Sequence, residues 1–403
     1  MSNWLKTLYL LLIIHYSGLG SGFYRKPNAL LIYSALTIFI MILYRVRIRR
    51  PILIATMIWV IYNALSIVLY GQLRGLFILR YYMVILSSYV LWELYKEDLP
   101  DRFSSMIFYF ALISIPLWVW LNLSTGSLVS IMSRFDFSYG YLGDQSHRHY
   151  LHSIVYSADP TATAVPRRNY GYCWEPGPYS AYLSLALYFT VQSRKTNLIR
   201  FWTLLVAIIT TFSTTGYVAM AVIILYPYAS KLRSSYRVPL LLSLAYFLVS
   251  GYTQLDFMSS KISSQATVFE GLTVTELAEV SNIHQGGRFA GLLAGLVSLL
   301  NHPFGLAGNR ELGVDAVAHL VSGLGWILSS FGVFSLIVFW VFRRSSVAIA
   351  ELFARSNTNS YLFICLICLA GFNFIGSPAF MAFALLGLWH RSVSQAAMLH
   401  HIH

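Results

Sequence analysis

Runs of apolar residues about as long as a bilayer is thick recur along almost the whole chain, and the polar positions fall between these runs rather than alternating within them. A crossing helix needs about 20 predominantly apolar residues. Counting such runs predicts helices near 4–20, 28–44, 51–70, 76–93, 104–122, 178–192, 200–213, 216–229, 238–252, 320–342, 359–374 and 377–390. The expectation is an all-α, polytopic integral membrane protein with about twelve transmembrane helices and a single membrane domain over residues 1–403. No small-residue cleavage site follows the first run, so it reads as a helix and not a removable signal. One further run, 289–301, reaches only about 20 Å at 1.5 Å per residue, short of a hydrocarbon core of about 30 Å. It is expected to be re-entrant or interfacial.

Composition agrees with this pattern. The chain is 57% hydrophobic and 11% charged, against roughly a quarter charged in soluble domains, and its mean hydropathy is +0.63. A net charge of +13 raises a nucleic-acid reading, but that needs a basic face on a folded module. Here the cations sit in short loops: Arg45, Arg47, Arg49 and Arg50; Arg194, Lys195 and Arg200; Lys231, Arg233 and Arg237; Arg343, Arg344 and Arg355. Positive-inside topology accounts for them better. With twelve crossings all four clusters and both termini fall on the cytoplasmic side, and no nucleic acid is expected as a partner.

Two long segments, about 122–177 and 251–319, then face the other side as extracytoplasmic loops. They carry most of the acidic residues, Asp136, Asp159, Glu175, Glu270 and Asp315 among them. Loops of this length are uncommon unless functional or disordered. The basic loops hold no GxxxxGK[ST] and no GxGxxG, which argues against chemistry driven by a bound nucleotide. His147, His149 and His152 have no companion Asp or Cys at ligand spacing and read as a polar loop. Cys365 and Cys368 form a CxxC inside an apolar run and read as small core residues.

Candidate chemistry lies in the long segments. Arg167, Arg168, Tyr170, Trp174 and Glu175 precede Pro176 and Pro178, which suit the first turn of a helix. One reading makes Glu175 a helix cap and the arginines and aromatics an interfacial belt. The other makes a sugar-phosphate site, with aromatics stacked on sugars and arginines forking onto phosphate oxygens. In the second loop His284 and Gly286-Gly287-Arg288 are expected to open the short helix, where backbone amides and a guanidinium make an anion site. His302-Pro303-Phe304-Gly305 follows, and His319 stands at the mouth of the next span. An interfacial histidine is an amphipathic side chain or a base able to take a hydroxyl proton. Ser213-Thr214-Thr215-Gly216 suggests a tight connection between helices. Arg80 lies within a span, where it either snorkels or pairs with an anion.

Together these stretches resemble the Wzy-type O-antigen and capsular polysaccharide polymerases of the O-antigen polymerase and ligase superfamily. The resemblance rests on Arg168, Gly171 and Glu175-Pro176 within 168–182, on 213–217, on Arg288 and the helix leading to His302-Pro303-Phe304-Gly305, and on His319 ahead of Gly325. Ligases usually place asparagine where this chain has Glu175; the polymerases resemble it more closely. The superfamily often has His-Asn where this chain has His319-Leu320, so His284 or Glu175 stands as a substitute base.

The resemblance implies a GT-C-type fold in the bacterial inner (cytoplasmic) membrane, with the active site facing the periplasm. It implies a metal-independent glycosyltransferase that moves a growing glycan from undecaprenyl diphosphate onto an undecaprenyl-diphosphate-linked repeat unit. On that basis His319 is the base and Arg288 the diphosphate stabiliser. Glu175 is the third catalytic residue, positioning the sugar, and Arg167, Arg168, Tyr170, Trp174, His284, His302 and Arg80 then bind substrate. No metal or other cofactor is expected. Partners are the undecaprenyl-diphosphate-linked oligosaccharide, membrane lipids, a Wzz-type chain-length regulator and a Wzx-type flippase. The alternatives are a ligase of the same superfamily and a flippase or transporter, which would gather its charges near the bilayer midplane.

Overall fold

Backbone polar groups in hydrocarbon have to be satisfied within the segment, which makes long apolar runs helical. The computed structural model describes residues 3–18, 27–70, 75–135, 151–152, 155–159, 166–193, 197–229, 283–306, 322–353, 359–371, 374 and 376–390, and these are mostly helical. The helices are α1 (Asn3–Gly18), α2 (Pro27–Leu43), α3 (Arg50–Tyr70), α4 (Gly75–Tyr95), α5 (Leu99–Leu123), α6 (Thr125–Met132), α7 (Pro176–Gln192), α8 (Leu198–Thr210), α9 (Thr214–Ala229), α10 (Ile283–Asn301), α11 (Gly323–Phe331), α12 (Ser335–Leu352), α13 (Asn359–Gly371) and α14 (Pro378–Ala384). Among the described residues, a pair of two-residue strands within the first long loop departs from all-α. β1 (Leu151–His152) pairs antiparallel with β2 (Ser157–Ala158).

Apolar side chains cover the outside of these helices, and hydroxyl and amide groups are buried among the apolar core. Ile32, Ile42, Val68, Leu112, Leu123, Ile199 and Leu336 are exposed, while Thr37, Asn63, Ser87, Ser104, Ser114 and Ser184 are buried. An apolar jacket around a hydroxyl-bearing interior is what a lipid solvent selects. α7 is buried along almost its whole length and anchors the bundle. Its hydroxyls reach outward to α5 (Ser104–Thr190 at 2.8 Å and Ser114–Tyr179 at 2.8 Å), to the turn ahead of α9 (Ser180–Ser213 at 3.0 Å), and to Ser377 ahead of α14 (Tyr182–Ser377 at 2.6 Å).

Three stretches among the described residues are long and apolar enough to cross a membrane: Arg50–Leu69, Ile78–Leu123 and Gly323–Leu352. The sequence pattern led us to expect about twelve crossings. The difference has physical causes. Several apolar helices are shorter than a full crossing, among them Leu198–Thr210 and Asn359–Gly371. Ile78–Leu123 holds both α4 and α5, divided by the 3-10 turn Lys96–Asp98, where Lys96 has φ +51°. The expected helix 238–252 lies outside the described residues. The single helix expected over 320–342 is broken instead: α11 stops at Phe331, and Gly332 at φ +55° redirects the chain into α12.

The short helix expected over 289–301 is longer. It starts at Ile283 and runs for 19 residues, about 28 Å. Gly286 and Gly287 therefore lie inside its first turns instead of ahead of it. Alongside α11 the two chains run parallel: Gly325 meets Gly291 and Gly295, and further on Leu306 donates to Ser329 O at 2.8 Å while Val333 donates to Pro303 O at 2.7 Å. A Cβ on Gly295 or Gly325 would strike the facing backbone, so the close crossing depends on glycine, as in small-xxx-small helix pairs.

The bundle has two chemically different ends. The ion pairs found among the described residues gather at one: Arg49–Glu93 at 3.3 Å, Lys96–Glu93 at 2.7 Å, Arg200–Asp101 at 2.7 Å and His390–Glu351 at 3.6 Å. Tyr89 ties the α2–α3 loop to that end through Arg47 O at 2.5 Å. The other end collects the close of α1, α5, α8 and α13, the start of α4, α7, α9, α11 and α14, and the segment Arg167–Glu175.

Candidate functional site

The segment ahead of α7 is held as a platform by its own backbone. Arg167 N donates to Asn122 Oδ1 at 2.7 Å, and its carbonyl accepts from Trp118 Nε1 at 2.6 Å, fixing it to the close of α5. Arg168 turns the other way, donating from Nε to Thr211 O and from Nη2 to Phe212 O, both at 3.0 Å. These are the carbonyls of the C-cap of α8 and of the residue after it, where a cation also meets the negative end of the helix dipole. Asn169 completes that cap: its N–H donates to Thr210 O at 2.9 Å, and its Nδ2 reaches Thr210 Oγ1 at 2.9 Å. Its Oδ1 accepts from Gly171 N at 3.0 Å, closing the turn in which Gly171 adopts φ +53°. A Cβ there would overlap the Tyr179 ring. Ser157 N to Gly171 O at 2.6 Å and Trp174 N to Gly18 O at 3.2 Å secure the remainder.

The arrangement separates the two neighbouring arginines. Arg168 commits two nitrogens to capping α8. Arg167 is pinned through its backbone, and its Nη1 is buried with no hydrogen-bond partner among the described residues. A buried guanidinium nitrogen without an acceptor is costly unless an anion meets it. Glu175 occupies the N-cap position of α7, as Pro176 and Pro178 in the first turn suggest, but its side chain makes no capping hydrogen bond.

Three helix starts meet around this platform. Ser180 near the start of α7 bonds Ser213 ahead of α9 at 3.0 Å, and Tyr182 bonds Ser377 ahead of α14 at 2.6 Å. Ser17 Oγ at the close of α1 accepts from Ala379 N at 3.0 Å. The tight α8–α9 connection expected at 213–216 falls at 211–213 instead, with Phe212 at φ +47° making the turn and residues 214–216 inside α9. Beneath the platform Tyr172 and Cys173 are fully buried; burial pushes the Cys173 thiol well above its usual range.

Arg167, Arg168, Tyr170, Trp174 and Glu175 are thus brought together at one end. Tyr170 is buried and Trp174 half-buried. Arg80 belongs to the same end: its charge acts on Tyr16 and Tyr81, and Tyr81 stacks on Trp326 of α11 with centroids 5.2 Å apart. His302 is not part of the cluster; it follows α10, at the level of the α11–α12 break. His284 and Arg288 lie in the first two turns of α10, of which the backbone is described. His319 lies outside the described residues. Sequence reasoning missed Asn122, Trp118 and Asn169, which hold the platform, and Asp159, which is buried beside it. The polar Asn169 between two arginines and an aromatic was the one available hint.

No family model, no curated protein and no solved structure matches the chain.

Proposed function

We propose that the protein is a polysaccharide polymerase. In this reading it transfers a growing glycan from undecaprenyl diphosphate onto a lipid-linked repeat unit, at the extracytoplasmic end of a GT-C-like bundle of about twelve crossings. The observation that carries the reading is the buried Arg167 Nη1, which lacks an acceptor among the described residues while the backbone around it is rigidly held. A positioned guanidinium is suited to charge developing on a departing diphosphate.

The ion-paired end carries the Arg49, Lys96 and Arg200 loops and is assigned to the cytoplasm of a bacterial inner membrane by the positive-inside rule. The Glu175 end then faces the periplasm. The half-buried Trp174 offers aromatic surface to a sugar, with the buried Tyr170 behind it in the same segment, and Glu175 can hold a hydroxyl. Arg288 is proposed as a second diphosphate contact, and His319 as the base that takes the acceptor proton. The lipid-linked donor is already activated, so no nucleotide is required. Incubating the purified protein with undecaprenyl-diphosphate-linked repeat units tests the proposal: a ladder of longer lipid-linked glycans is expected.

A further inference from the structure

α10 comes down from the Glu175 end beside α11 and stops where α11 breaks. The turn 302–306 docks on that break, with Gly305 at φ +79° and Gly332 at φ +55° packed against one another. Its depth can be read from α3. Phe331 lies against Trp59 and Tyr62, with centroids 6.5 and 5.2 Å away, and Tyr62 Oη donates to Ser330 O. α3 is 21 residues long, and Trp59 and Tyr62 sit near its middle. The break and the turn therefore lie near the centre of the bilayer that α3 spans.

Non-helical backbone at that depth persists only where it is buried in protein or lines a water-filled cavity. Here two further observations favour water. Ser298 Oγ on α10 and Ser330 Oγ on α11 are buried (their residues are 5% and less than 1% exposed) and have no hydrogen-bond partner among the described residues. One turn on from Ser298, at the close of α10, Asn301 is exposed and His302 partly exposed. Hydroxyls on both sides of a helix seam, with an amide and an imidazole at its foot, supply the several polar partners that an internal water needs.

We infer that the α10–α11 seam ends in a hydrated notch at mid-bilayer depth, lined by Ser298, Asn301, His302 and Ser330 and reached from the Glu175 end. The seam runs up to that end. On the opposite side the chain continues into α12, where Val341 and Phe342 are buried. The inference does not depend on the reaction proposed above and stands or falls separately from it.

The test is thiol accessibility in proteoliposomes holding the full chain. Charged, water-soluble methanethiosulfonates react with the thiolate, a form that hydrocarbon does not support. The native Cys173, Cys365 and Cys368 are all buried, which keeps the background low. Asn301→Cys reports on the notch. Val60→Cys, exposed beside Trp59 on α3, reports on lipid at the same depth. The expected result is that Asn301→Cys is modified at least about tenfold faster than Val60→Cys. Failure of both to react overturns the inference, because no water reaches the turn. Equal reaction of both also overturns it, because that level is then not mid-bilayer. If Asn301→Cys does not fold, His302→Cys serves as the reporter with the same expected ratio.

Discussion

The Nε of Arg168 donates to the carbonyl of Thr211 at 3.0 Å, across 43 residues of sequence. With the second bond to Phe212 O, it makes Arg168 the C-terminal cap of α8, while its neighbour Arg167 keeps a buried nitrogen without an acceptor among the described residues. The two arginines should therefore fail differently. Charge-assisted bonds are each worth about 1.5–3 kcal/mol, non-additively. Arg168→Ala is expected to lower stability by about 2–4 kcal/mol, with Arg168→Lys recovering only part of it because an ammonium lacks the planar fork. Arg167→Gln, which removes the buried nitrogen without an acceptor, should not lower thermal stability yet should cut glycan transfer by about a hundredfold or more. Thermal unfolding and transfer rates of the purified variants check both.

Glu175 sits at the N-cap position without bonding the amides of α7. Glu175→Gln is thus not expected to cost α7 the loss of about 1 kcal/mol that follows removal of a working cap. If His319 is the base, His319→Ala abolishes chain extension while substrate still binds, and the Gln variant keeps turnover. Rates measured at matched substrate binding decide, and an active His319→Ala enzyme overturns the assignment.

Gly332 holds φ +55° and ψ −133°, a region essentially restricted to glycine. A Cβ there would overlap Pro303 O. Gly332→Ala should undock the 302–306 turn from the α11–α12 break at a cost of about 2 kcal/mol or more. The expected signature is faster proteolysis or amide exchange near 302–306, with the platform at 167–175 unaffected.

Cys173 gives a pH dependence with a definite sign. Its folded thiol is raised above the ordinary value of 9.0 by burial. The protonated thiol's contribution is therefore fully present below about 9 and is lost as the pH climbs from there toward the raised folded value. Cys173→Ala should flatten the alkaline limb of the stability profile measured by chemical denaturation. In the folded wild type the thiol should resist maleimide at neutral pH and become reactive on unfolding.

Much of the helical layout was legible in the sequence because lipid selects by run length. The runs at 51–70 and 178–192 correspond to α3 and α7 to within a residue or two. The start of α7 could be read from Glu175-Pro176-Gly177-Pro178, which places proline in the first turn. The α11–α12 break could not. Gly332 lies in a mainly apolar run broken only by Ser329, Ser330 and Ser335, and its positive φ accompanies packing against Pro303 and Gly305, nearly thirty positions earlier in the chain. The start of α10 was misplaced because Gly286 and Gly287 look like punctuation, yet they are accommodated inside the helix. At the site, pattern alone showed that Arg167 and Arg168 are cations near a helix start. That one caps α8 and the other does not depends on the carbonyls of Thr211 and Phe212, contacts too distant in sequence for local reasoning.

The proposed reaction is tested most directly by following purified wild-type protein with undecaprenyl-diphosphate-linked repeat units and resolving the lipid-linked products by length. A regular ladder, growing by whole repeat units and lost in Arg167→Gln, is the predicted result. A single transfer to a lipid A core or protein acceptor without a ladder would instead indicate a ligase. Substrate that stays chemically unchanged, whether or not it crosses the membrane, would contradict a polymerase outright.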